Sequence, residues 1–164
     1  MKKTLVVVAD LGVFKAYRLD NGRPNRTPRL TLLEEYNNAG AHERLVDRVT
    51  DLSGRFPRSS GAPNLSGAMS DGERHNIELE QRKRLVRQLA QRLNSLMRSD
   101  DVEHCYLAAS REINHPLLDE LDPAVRVKIE KNLSADLTKT DKSELLRHFE
   151  PASRPMPQDS RAFA

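Results

Sequence analysis

Tryptophan is absent from this chain, aromatic residues make up only 4% of its 164 positions, and there is a single cysteine. So few rings exclude the extended stacking platforms that bind single strands through successive exposed aromatics. A lone Cys105 excludes an intramolecular disulfide. Its apolar setting, HCYLAA, reads as a small buried core residue. No run approaches the roughly 18–20 apolar residues of a membrane span. The opening MKKTLVVVADLG imitates a secretory leader only until Asp10 interrupts it. Together these features lead us to expect a protein of the reducing cytoplasm, without membrane contact.

Charge of one sign is also lacking. Twenty-seven Lys and Arg against 24 Asp and Glu leave a net charge of +3, so any affinity for an anionic partner must come from local clustering. Signature motifs are missing too. The glycines at 54, 61, 67 and 72 fit neither a dinucleotide fingerprint nor a P-loop. Five dispersed histidines, His42, His75, His104, His115 and His148, form no HExxH and have no cysteine partners, so neither a metal centre nor a cofactor is expected. No nucleophile elbow supports a Ser/His/Asp triad.

What is present describes one α/β domain over residues 1–149, followed by a proline-rich tail over 150–164 that is too poor in apolar residues to pack. Thr4–Ala9 (TLVVVA) is a β-branched run closed by Asp10-Leu11-Gly12, the mark of a buried central strand. A tight turn at Asp10-Leu11-Gly12 leads into Val13–Leu19, so these two strands should be antiparallel. Asp20–Pro24 is a turn by composition, and Arg29–Tyr36 is a third strand. Ala41–Leu52 carries Leu45, Val46, Val49 and Leu52 at helical spacing. Further along, HCYLAA reads as a buried strand and Arg111–Leu121 as a helix, with Pro116 near its first turn. Val125, Val127 and Ile129 alternate with charged residues like a half-exposed strand. Thr140 or Asp141 should cap a last helix, with Glu144 placed as in a capping box. Strands on either side of long helices imply a mixed β-sheet with helices packed on it.

The stretch Asp51–Met97 organises the rest. Ser53–Gly72 is a loop rich in Gly, Ser, Pro and Arg, and it leads without a break into a helix over about 73–98. On that helix Leu85, Val86, Leu89, Leu93, Leu96 and Met97 form one apolar stripe, and Ile77 extends it backwards. A phosphate backbone could be contacted by Arg55, Arg58, Arg74, Lys83, Arg84 and Arg87, with Gly54 allowing close approach. The bland alternative is a solvated basic face paired with Glu78 and Glu80. Among the carboxylates, Asp10 ends the first strand. It either closes its own turn or, with Glu112, Asp119 or Asp136, ligates magnesium for a nuclease or other hydrolase.

VVVADLGVFKAYRL, DLSGR, a Gly/Ser/Pro loop, a charged helix, YLAAS and NLSADLT follow one another in the order seen in the bacterial host attachment family. The resemblance runs from Thr4 to about Phe149 and rests on order and spacing. It implies a part in attachment to host cells, and an indirect one if the chain is not exported. The layout also resembles the central domain of archaeal and eukaryotic class 1 peptide-chain release factors and their bacterial relatives. That likeness implies a ribonuclease-H-like α/β fold and action on the ribosome, with tRNA or rRNA as partner. Release factors of this type use a Gly-Gly-Gln loop to place water on the peptidyl-tRNA ester. Here Ser53-Gly54-Arg55 is the nearest counterpart and the loop has no glutamine. The resemblance therefore implies a binding module without the release chemistry.

Overall fold

The unbroken β-branched run Thr4–Ala9 forms β1, buried from end to end, and the sheet is built outward from it. The structure is a computed structural model that describes residues 3–20, 27–37, 71–99 and 101–150. The expected helix over 41–52, the loop up to residue 70, most of the Asp20–Pro24 turn and the tail after Glu150 lie outside the described residues. So do Gly54, Arg55 and Arg58.

β1 pairs antiparallel with β2 (Val13–Asp20), which pairs antiparallel with β3 (Arg29–Asn37). On its other side β1 runs parallel to β4 (His104–Ala109), and β4 parallel to β5 (Ile129–Ser134). The result is a five-stranded mixed sheet in the order β3-β2-β1-β4-β5. Strand alternation divides β1 between two cores. Leu5, Val7 and Ala9 join Phe14 and Ala16 under α1 (Asp71–Ser99) and α2 (Arg111–Glu120). Val6 and Val8 join Tyr17, Leu19 and Leu30 under α4 (Lys142–Phe149), through Leu145 and Phe149. Lys131 Nζ donates to Phe149 O at 2.6 Å, a cation placed at the negative end of α4.

Two expectations are corrected here. Ile77 is 41% exposed and does not extend the apolar stripe of α1; the buried stripe is Val86, Leu89, Ala90, Leu93 and Met97. The helix has 29 residues, about 43 Å at 1.5 Å per residue, and outruns six-residue strands of about 20 Å. The strand expected across Val125–Ile129 is instead a short helix, α3 (Pro123–Arg126), with β5 starting only at Ile129. Pro123 at the first helical position favours that turn. Val125 and Ile129 then reach the same core four residues apart, while Val127 is 83% exposed. Alternation over so few residues fits both periods. Smaller departures occur in α2 and α4. Pro116 is the sixth residue of α2, not in its first turn, and Asp141 caps α4 by position but makes no side-chain cap bond.

Cys105 is fully buried, and burial pushes its thiol from an ordinary 9.0 up to about 12. Burial also raises Tyr17 and Tyr106, with help from Glu35 and Glu130 respectively. A raised folded-state pKa contributes stability that is complete below the unfolded value and lost as pH climbs through the folded one. Stability should therefore fall between pH 9 and about 12, as urea melts across that range would show. Iodoacetamide at pH 8 should leave the native thiol untouched and label it after unfolding.

Candidate functional site

β1, β4 and β5 are parallel, so their carboxyl ends meet at one edge of the sheet, where open α/β sheets commonly bind ligands. Asp10 stands there at the end of β1. Its Oδ1 accepts the N–H groups of Gly12 at 2.7 Å and Val13 at 2.6 Å, and its own N–H donates to Val13 O at 2.8 Å. The side chain thus closes the turn that starts β2. After β5 the chain crosses this edge. The buried Thr138 brings Oγ1 within 2.6 Å of Asp136 Oδ1 and 3.4 Å of Asp10 Oδ2. Its single proton serves the closer carboxylate. Beside them Asn114 on α2 and Asn132 on β5 exchange amide bonds of 2.8 and 3.0 Å, and Asn114 also donates to Leu133 O.

Of the carboxylates considered with Asp10, Asp136 is joined to it through the Thr138 hydroxyl, and the other two have partners of their own. Glu112 faces Arg82 at 3.8 Å, and Asp119 pairs with His115 at 3.0 Å. Among the described residues no group of three or more His, Cys, Asp or Glu could hold a metal ion. None of the described helices is long and apolar enough to cross a membrane.

The basic residues of α1 do not form one free stripe. Arg74 and Lys83 are nine residues apart, about two and a half turns, and so stand on opposite sides of the helix. Arg74 has a buried Nε without a hydrogen-bond partner among the described residues. Lys83 bonds Glu80 at 3.2 Å, and Arg87 faces Glu120 at 3.7 Å. Further along, Arg92 and Arg98 bond Glu34 and Asp122, each at 2.5 Å. Arg84 alone among Lys83, Arg84 and Arg87 has no ion pair among the described residues. Reading the sequence missed most of these partners, because Glu34, Glu112, Glu120 and Asp122 come from other elements. Of the i,i+4 pairs expected, Glu78–Arg82 and Glu80–Arg84, neither forms among the described residues: Arg82 faces Glu112, and Glu80 takes Lys83 at i,i+3.

The family model for proteins required for attachment to host cells matches residues 5–149, nearly the whole described fold. The chain belongs to the host attachment family. No curated protein matches it. In this host attachment protein, VVVADLGVFKAYRL is β1, the Asp10 turn and most of β2, while NLSADLT is the end of β5 and the crossover holding Asp136 and Thr138. Two segments more than a hundred residues apart thus meet at one sheet edge.

Proposed function

We propose that this chain is a non-enzymatic, RNA- or ribosome-directed binding module. In it α1 and the arginine-bearing segment before it contact a phosphate backbone. One observation carries the reading. From Gln81 to Arg98 the helix bears Arg82, Lys83, Arg84, Arg87, Arg92 and Arg98 and not one carboxylate. The contacts of Arg82, Lys83 and Arg87 are exposed ion pairs of 3.2–3.8 Å, worth at most about 1 kcal/mol each. Phosphates can replace those carboxylates at little cost, and Arg84 has no ion pair to give up among the described residues. Gly54, Arg55 and Arg58 before the helix, and Arg74 near its start, would extend the contact, the segment being by resemblance the counterpart of the release-factor loop without its glutamine. On this reading the module works in the cytoplasm and its contribution to host attachment is indirect.

Co-sedimentation with ribosomes, and tRNA binding across a salt series, tests the proposal. Affinity should fall linearly on a log–log plot, and Arg84→Ala/Arg87→Ala should make that slope shallower by about 1–2. Arg55→Ala/Arg58→Ala should act in the same direction. Binding that ignores salt, or that survives both double substitutions unchanged, overturns the reading. Magnesium-dependent RNA cleavage lost in Asp10→Asn would replace it with a hydrolase.

A further inference from the structure

One concavity of α1 is built around the Arg92–Glu34 pair. Between the end of β3 and the second half of α1 lies an open groove of about 610 Å³, within the size range of small-ligand sites. Glu34 and Tyr36 line it from the strand, and Gln88, Gln91, Arg92 and Ser95 from the helix. Tyr36 and Glu34 both point to the helix-covered face, because they pair with Phe14 and Ala16. Arg92 lies with its guanidinium carbon 4.0 Å from the centroid of the Tyr36 ring, and its Nη1 donates to Glu34 Oε1 at 2.5 Å. The guanidinium is therefore anchored at its edge by a carboxylate and backed by a ring. It remains partly exposed. Its charge is largely compensated, which disfavours a simple anion as the occupant.

The helix side of the groove is chemically distinct. Arg84, Gln88, Gln91 and Ser95 follow one another at steps of four, three and four residues and so share one face. The side chains of Gln88, Gln91 and Ser95 are exposed and make no hydrogen bond among the described residues. Two carboxamides and a hydroxyl offer donors and acceptors together, beside a flat cationic surface. Sugars prefer an exposed ring face for their C–H groups, whereas a guanidinium plane stacks well on the π-face of a base. We propose that the groove takes an unstacked nucleobase of a single-stranded RNA, stacked on Arg92 and read along its edge by Gln88 and Gln91. This deepens the RNA reading above and rests on it: Arg84 and Arg87, one turn earlier, hold the backbone while the groove holds the base. A single guanidinium-backed platform is compatible with the chain's scarcity of aromatic residues.

The test uses the full chain and four probes. These are the ribonucleoside 5′-monophosphates, a short single-stranded ribo-oligomer, an abasic oligomer of equal length, and chitotetraose. The monophosphates should shift the side-chain amide resonances of Gln88 and Gln91. Gln88→Ala/Gln91→Ala, which touches only exposed positions, should weaken the ribo-oligomer about tenfold without changing its salt slope. The abasic oligomer should bind weakly and equally to both proteins. Ribo-oligomer and abasic oligomer binding alike, an unaltered affinity in the double variant, or chitotetraose occupying the groove instead would each overturn the inference. Salt-dependent RNA binding without any base effect removes the groove and leaves the functional reading standing. Monophosphate binding at the groove in a chain that ignores ribosomes does the reverse.

Discussion

Alanine at Phe14 is expected to lower the free energy of unfolding by about 3–5 kcal/mol. Phe14 has no exposed surface and heads the fully buried large side chains. It pairs across β2 with Ala9 of β1 and Tyr36 of β3, and packs in the core covered by α1 and α2. Its small neighbours Ala9 and Ala16 cannot swing into the space a missing ring would leave. The loss should therefore include the cavity as well as the transfer of the ring. Urea unfolding should show a lower midpoint at an unchanged m-value. A shift worth under about 1 kcal/mol would mean that this ring is not at the centre of the fold.

Asp10→Ala should cost about 2–3 kcal/mol, since two backbone N–H groups, one of them that of the buried Gly12, would lose their acceptor. Asp10→Asn should cost much less, because a carboxamide oxygen can still accept from Gly12 and Val13. Denaturation of the pair separates the turn role from a catalytic one. Equal losses would argue against the turn as the reason for Asp10, while RNA affinity should be the same in both variants whenever they are folded. The turn also feeds β2 into the sheet, so the damage should reach Phe14 and the first core.

Legibility followed the physical range of each interaction. β1 could be recognised because a run of β-branched and apolar residues with no charge has few homes other than a sheet centre. α1 could be recognised because the stripe Val86, Leu89, Leu93 and Met97 has the helical period; the helix runs over Asp71–Ser99. The β1–β2 hairpin followed from a tight turn, and Asp10 as the residue closing that turn from the habit of aspartate. Errors gathered where a local pattern had two solutions. Val125–Ile129 alternates like a strand, yet Asp122-Pro123 starts a helical turn there. Ile77 has the spacing of a core residue but lies where the helix has passed beyond the sheet.

The candidate site divides in the same way. Which side chains of α1 are basic is a property of the chain itself, as is the absence of carboxylates from Gln81 to Arg98. Whether that charge is compensated was decided by Glu34, Glu112, Glu120 and Asp122, supplied from β3, from α2 and from the turn after it. The carboxylates weighed beside Asp10 were sorted only when the chain crossed the sheet edge after β5. That crossing brought Asp136 and Thr138 in and left Glu112 and Asp119 on the outer side of α2. By itself, then, the sequence determined the central strand, the β1–β2 hairpin with its Asp10 turn and the basic helix, because periodicity and turn chemistry act over a few neighbouring residues, while the order of its motifs carried the family resemblance. Only the tertiary structure decided which charges are paired, which carboxylates meet, and that the Arg92 guanidinium sits over the Tyr36 ring beside two exposed amides. Those are contacts between residues distant in the chain, and no local spacing encodes them.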